Sequence, residues 1–194
     1  MSNTTELRRK EENDLERLLF TAEDLAEMNA RLGARISADF APLIAAGKKL
    51  IFVPILKGSI MFAADLARAL TVPAELEFMK VSSYGAAAKT SGEIKINLDL
   101  NRDDLEDAIV LIVEDIVDSG RTLSRLTQML SHRGAYKVST VTMLDKPCRR
   151  EVAFTPDYVG FTIPDGFVVG YGLDFDQKYR TLPYIGILKP EIYS

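Results

Sequence analysis

Cysteine is nearly absent from this chain: Cys148 is the only one in 194 residues. An intrachain disulfide and a cysteine-ligated metal are both excluded. Histidine is equally scarce, with His132 alone, so no His/Cys set exists for zinc. Excess positive charge is missing too. Lys and Arg number 24 against 28 Asp and Glu, a formal charge of −4, which argues against a general phosphate-backbone binder. No apolar run approaches the length of a membrane span, and Met1 to Arg9 is polar rather than signal-like. These absences predict a soluble cytoplasmic protein with neither a membrane nor a nucleic-acid partner. Internal repeats and low-complexity tracts are lacking as well. What is there is 47% hydrophobic and 27% charged, the composition of a packed globular core. The length suits one well-buried domain with a small subdomain.

The hydrophobic pattern alternates between strand and helix. Residues 4–19 are charge-rich with sparse leucines and predict a short surface helix. Thr21, with Glu23 and Asp24 behind it, is a helix start. Leu25, Met28, Leu32, Ile36, Phe40 and Leu43 then recur every three or four residues, an amphipathic helix ending near Gly47. Leu50 to Ile55 reads as a buried strand, weakened near its end by Pro54. A helix over Ile60 to Leu70 and a strand over Glu75 to Val81 follow. Residues 82–92 are small, polar and glycine-flanked, long enough to predict a mobile lid, with an edge strand returning over Glu93 to Leu100. Farther on, a helix presents Leu123, Leu126, Met129 and Leu130 on one face, and Lys137 to Leu144 is a further buried strand. Tyr158–Ile163, Phe167–Tyr171 and Tyr184–Leu188 are short strand-like pieces. This order predicts an α/β fold, a mainly parallel twisted sheet flanked by helices, with the two chain ends packing together as a small cap.

The densest chemistry lies in Ile109-Val110-Leu111-Ile112-Val113-Glu114-Asp115-Ile116-Val117-Asp118-Ser119-Gly120-Arg121-Thr122. The apolar run is too continuous for a strand with one wet face and reads as a central parallel strand buried on both. Ligands in such sheets sit beyond the carboxyl ends of the strands, where the acids fall. The turn Asp118 to Thr122, with Gly120 permitting close approach, can cradle a phosphate at a helix start. A helix cap accounts for Asp118 or Ser119. It does not account for Glu114-Asp115, two like charges that repel unless something cationic or polar lies between them. Three acids around a phosphate-sized turn point to sugar-phosphate chemistry with a divalent metal.

The segment Val113 to Leu123 resembles the phosphoribosyl-pyrophosphate (PRPP) signature of type I phosphoribosyltransferases, and its Glu-Asp pair is similar to the hypoxanthine-guanine branch. Leu56-Lys57-Gly58, Ser83-Tyr84, Lys146-Pro147 and the run Val159 to Asp174 resemble the same family in the same order, so the resemblance spans about residues 20–190. It implies the type I fold, with a PRPP-binding core over 20–160 and a cap from 1–19 and 161–194. It implies that Glu114 and Asp115 hold the ribose hydroxyls, with magnesium bridging these and the pyrophosphate. It implies that Asp118, Ser119, Gly120, Arg121 and Thr122 hold the 5′-phosphate through main-chain amides and hydroxyls. Asp118 is then the catalytic acid or base near N7 of a purine. Lys146 is implied to donate to a 6-oxo group, Phe167 to stack on the base, and Val168 to contact it through its backbone. Asp174 is implied to ligate a second magnesium, partly through water. Lys57, Gly58 and Arg180 are implied to hold pyrophosphate, the first two often across a non-proline cis peptide, and Ser83 and Tyr84 to sit in the lid.

Without the resemblance several of these residues have plainer readings: Lys146 a solvated lysine, Phe167 core packing, Arg180 a surface arginine, Lys57-Gly58 a glycine turn. His132 is a solvated residue at a helix end and Cys148 a passive thiol. The implied activity is Mg²⁺-dependent phosphoribosyl transfer from PRPP to N9 of hypoxanthine or guanine, in a homodimer or homotetramer. An ammonium at Lys146 only donates, so it fits a 6-oxopurine and opposes adenine. Two alternatives stand: a xanthine-using enzyme, and a PRPP-sensing RNA-binding regulator on the same fold.

Overall fold

A computed structural model describes residues 10–83 and 94–193. Its centre is a five-stranded sheet in the order β3-β2-β6-β7-β8, formed by Glu75–Leu76 (β3), Lys49–Pro54 (β2), Ala108–Val117 (β6), Lys137–Asp145 (β7) and Tyr158–Thr162 (β8). Every pairing in it is parallel. The middle strand β6 is as apolar as its position requires. Ile109, Leu111 and Val113 pack into the cluster built with the long helix α1 (Ala22–Ala45) and α2 (Ile60–Ala69). Val110 and Ile112 pack on the opposite face, against Leu123, Leu126 and Leu130 of α3 (Arg121–His132). Alternate residues thus serve alternate faces, and none is left for water.

Helix α1 starts where the sequence places it. The Thr21 hydroxyl accepts from the Asp24 amide at 3.1 Å while the Asp24 carboxylate accepts from the Thr21 amide at 2.8 Å, a reciprocal capping box. Its buried stripe of Leu25, Met28, Leu32, Ile36 and Phe40 follows the predicted one, whose last member Leu43 is half-buried.

The N-terminal expectation needs correction. Leu15–Phe20 is a strand (β1), not part of a surface helix, and among the described residues of that region 10–13 are the helical ones. It pairs antiparallel with Ile185–Leu188 (β10), which pairs in turn with Val168–Val169 (β9). The two chain ends therefore meet in one three-stranded sheet, as expected of a cap. The tertiary pairing, remote in sequence, overrides the local helical composition. The strand expected over Glu75 to Val81 is also divided. Glu75–Leu76 joins the main sheet, whereas Lys80–Ser83 (β4) pairs with Ile94–Leu98 (β5) in a separate antiparallel ribbon. Likewise Phe167–Tyr171 shortens to β9, because Gly170 and Tyr171 take positive φ (100° and 50°) and turn the chain.

Candidate functional site

The site lies at the carboxyl end of β6, as the central strand of a parallel sheet dictates. Glu114, Asp115, Ile116, Val117, Asp118, Ser119, Gly120 and Thr122 line a cleft of about 380 Å³. Gly120 takes φ 78° immediately before α3, and a Cβ there would come within 2.9 Å of the Arg150 side chain. The turn therefore needs glycine both for its backbone and for its packing. Its amides sit at the positive end of α3, a place suited to an anion.

Two other segments close the cleft. The first is Leu56-Lys57-Gly58, following β2, whose Leu56–Lys57 peptide is cis. The second is the turn after β9. Gly172 stands so close to the first that a Cβ on it would lie 2.0 Å from the Gly58 carbonyl oxygen. This contact brings Asp174 and Arg180 to the rim. Arg180 pairs with Asp174 at 2.7 Å and donates to the Gly172 carbonyl at 2.7 Å. Its Nε is buried without a partner. Lys57 Nζ donates to the Gln177 side-chain oxygen at 3.2 Å.

The acid pair is electrostatically uncomfortable. Burial, and then repulsion from Asp115, pushes the Glu114 carboxyl well above the usual range. Burial also raises Asp115, although hydrogen bonds from Glu114 and the Ile116 amide and the charge of Arg180 oppose the shift. Among the described residues no three His, Cys, Asp or Glu side chains form a metal-holding group. The donors at hand are hard carboxylate oxygens, the kind that hold magnesium together with waters and phosphate oxygens rather than in an all-protein cage.

A second hollow of about 610 Å³ adjoins the first and shares Asp115, Ile116, Asp118 and Asp174 with it. Lys146, Phe167 and Val168 line its far part. Lys146 is only 6% exposed. Its Nζ donates to the Gly166 carbonyl at 2.7 Å and stands 3.7 Å from Asp118 Oδ1. One ammonium thus faces both the aromatic wall and the third acid. The Phe167 ring stacks on Tyr193 with 4.8 Å between centroids and meets the Phe175 ring edge-on at 5.5 Å.

The structure gathers most of the residues singled out by sequence, and departs at a few. Arg121 does not line the cleft with its side chain, which pairs outward with Glu151 at 2.6 Å. The Ser83 backbone ends β4, while the lid residue Tyr84 lies outside the described residues. Val81 in the cleft, and Arg149, Asp165 and Tyr193 around the hollow, escaped sequence reasoning. No local pattern distinguishes them, because their own segments place them there only after folding. Cys148 is exposed.

Comparison with known proteins shows what the chain is similar to. Residues 21–176 match the family described as phosphoribosyl transferase domain. The chain is 46% identical over 182 residues to the hypoxanthine-guanine phosphoribosyltransferase of Staphylococcus aureus strain N315, covering 94% of this chain and 98% of that protein. It is 48% identical to the bifunctional protein TilS/HprT of Listeria innocua over 94% of this chain, but spans only 27% of that longer relative. A solved hypoxanthine phosphoribosyltransferase of Staphylococcus aureus superposes with a TM-score of 0.87 at 45% identity, over 94% of this chain and 96% of that one. A mutant of the Trypanosoma cruzi hypoxanthine phosphoribosyltransferase, in a ternary substrates complex, gives 0.88 at 41% identity, over 94% of this chain and 100% of that one.

Proposed function

The chain belongs to the phosphoribosyltransferase family, and on that premise we propose that it transfers the 5-phosphoribosyl group of PRPP to N9 of hypoxanthine or guanine. The products are IMP or GMP and pyrophosphate. The observation that carries this reading is the shared wall: Asp115, Ile116, Asp118 and Asp174 border both the anion cleft and the hollow containing Lys146 and Phe167. Two substrates seated in these spaces would meet over Asp118. The relatives named hypoxanthine or hypoxanthine-guanine phosphoribosyltransferase support the same assignment.

In this scheme the amides of the turn 118–122, with the Ser119 and Thr122 hydroxyls, hold the 5′-phosphate. Glu114 and Asp115 accept from the ribose hydroxyls, which add donors to the Ile116 amide that Asp115 already accepts from. Lys57, Gly58 and Arg180 receive pyrophosphate, with Arg180 held at the rim of the cleft by Asp174. Glu114 and Asp115 would hold one magnesium and Asp174, partly through water, a second; when bound, the metal would neutralise charge on the departing pyrophosphate. Phe167 stacks on the base and Val168 meets it through its backbone, while Lys146 donates to the 6-oxo group. The bond from N9 to C1′ forms as the bond from C1′ to the pyrophosphate oxygen breaks, and pyrophosphate leaves with the electron pair. Asp118 takes or stabilises the proton lost by the base, a contribution of about 10²–10⁴ in rate for a placed acid–base group. The core over 20–160 and the cap from 1–19 and 161–194 belong to the same proposal.

We place the enzyme in the cytoplasm as a homodimer or homotetramer. Among the described residues no helix is long and apolar enough to cross a membrane, and Leu76 and Phe78 are exposed along the sheet edge where a second copy can cover them. PRPP-dependent nucleotide formation, measured with Mg²⁺ and hypoxanthine, guanine or xanthine in turn, tests the assignment. Turnover of hypoxanthine and guanine is expected; no product from any 6-oxopurine overturns it.

A further inference from the structure

The turn at 117–120 is held from behind by a single short segment, residues 146–151. The Val117 carbonyl accepts from the Lys146 amide at 3.0 Å and from Arg150 Nη1 at 3.3 Å. The Asp118 carbonyl also accepts from Arg150 Nη1, and the Ser119 carbonyl accepts from the Glu151 amide at 3.0 Å. Three successive carbonyls are thus turned to the same side. In a trans peptide the N–H points opposite to the carbonyl of the same unit. Binding those three carbonyls therefore directs the amides of Asp118, Ser119 and Gly120 the other way, toward the cleft that these residues line.

Arg150 is the one side chain among these donors, and it is well placed for the task. Its side chain is 15% exposed, and its Nη2 is paired with the carboxylate of Asp145, itself 10% exposed, at the end of β7. One planar guanidinium so joins a strand end to two consecutive carbonyls of the turn. Its Cδ also packs where Gly120 has no Cβ, 2.9 Å from the ideal position of that atom. A lysine presents a compact ammonium and no fork, and cannot reproduce this geometry. The pairing with Asp145 offsets its charge, so its contribution lies in orientation rather than in attraction of an anion.

We propose that Arg150 is a positioning residue for PRPP, which presets the phosphate-binding amides of residues 118–120 by holding their carbonyls from behind. This rests on the reading of that turn as the 5′-phosphate site. Preset amides lower the cost of binding, because the peptide units need not reorganise when the phosphate arrives. The effect belongs to PRPP and not to the purine, whose contacts lie on Lys146, Phe167 and Val168.

The test compares wild type, Arg150→Ala and Arg150→Lys by steady-state kinetics, thermal melting and PRPP titration. Arg150→Ala is expected to raise the KM for PRPP about tenfold or more while the KM for hypoxanthine changes less than about threefold. Methylguanidinium at millimolar concentration is expected to restore PRPP affinity in that variant. Arg150→Lys is expected to melt near wild type yet keep a severalfold higher PRPP KM, and it carries the test if the alanine variant fails to fold. A PRPP KM within twofold of wild type in either folded variant overturns the proposal. So does an equal loss for PRPP and hypoxanthine that methylguanidinium does not reverse, which marks a merely structural role. Wild type that fails to bind PRPP at all overturns the proposed function instead.

Discussion

Gly58 and Asp115 are packed so tightly that a Cβ on Gly58 would fall 1.6 Å from Asp115 Oδ2. The loop after β2 and the acid pair at the end of β6 therefore share one space, and only a residue without a side chain fits between them. Gly58→Ala must either move the loop or turn the Asp115 carboxylate away from the cleft. Overpacking of this kind costs about 1–3 kcal/mol. A fall of at least about tenfold in kcat/KM for PRPP is expected with it, since a small misplacement near reacting groups is costly. Kinetics and a melting curve check both; activity and stability equal to wild type would show that the loop yields without consequence.

The Glu114–Asp115 pair sets function against stability. The carboxyl of Glu114 is raised well above its usual range, by burial first and by the Asp115 charge second. A raised carboxyl pKa means that the folded chain binds more protons than the unfolded one between the two values. Stability of the ligand-free protein therefore falls as pH rises from the ordinary glutamate range, about 4.3, toward the raised value. Glu114→Gln removes the ionisation. It is expected to melt higher than wild type at pH 8, with the difference closing toward pH 4, and to lose at least about tenfold in kcat/KM for PRPP. A melting difference independent of pH sinks the electrostatic account.

The parts of the molecule differ in how plainly their sequence announces them, and the reason is the range of the interactions that decide each. Strand β6 was legible because burial on both faces demands an unbroken apolar run, and α1 because its capping box and its stripe are local. Strand β1 was not: none of its residues is fully buried, and it exists by virtue of pairing with Ile185–Leu188, far along the chain. The same division holds in the site. Glu114 to Thr122 is contiguous and chemically unusual, so physical reasoning reached it unaided. Lys146, Phe167, Asp174 and Arg180 came through family resemblance, since one lysine or one phenylalanine carries no signal by itself. Arg149, Arg150 and Tyr193 were reached by neither route, for their place depends on how the segments after β7 and β10 fold back over the cleft.

Of the three acids that border both spaces, Asp118 is the most exposed, with 48% of its side chain accessible. Asp118→Asn keeps the shape and the backbone amide of the turn but removes the proton acceptor. A fall in kcat of about 10²–10⁴ is expected, with PRPP affinity changed only a few fold. Single-turnover kinetics alongside PRPP titration separate the two quantities. Unchanged kcat would remove Asp118 from the chemistry, and a loss confined to PRPP affinity would reassign it to ribose-phosphate binding.

On the proposed function, Lys146 is the residue expected to select the base. Its ammonium is buried, donates to the Gly166 carbonyl at 2.7 Å and faces Asp118 at 3.7 Å, which leaves a donor for the base. A 6-oxo group accepts from it, whereas the 6-amino group of adenine would set donor against donor, and a site with an unmatched buried polar group discriminates strongly. Lys146→Met keeps much of the length and the apolar stem while deleting the donor. The backbone bond from its amide to the Val117 carbonyl at 3.0 Å does not involve the side chain, so the phosphate turn should persist. The expected result is a fall of about 10²-fold or more in kcat/KM for hypoxanthine and guanine, a PRPP KM within about threefold of wild type, and a narrower preference against adenine. Competition assays with the three purines at saturating PRPP measure it. Hypoxanthine kcat/KM within threefold of wild type would mean that the 6-position is read by some other group.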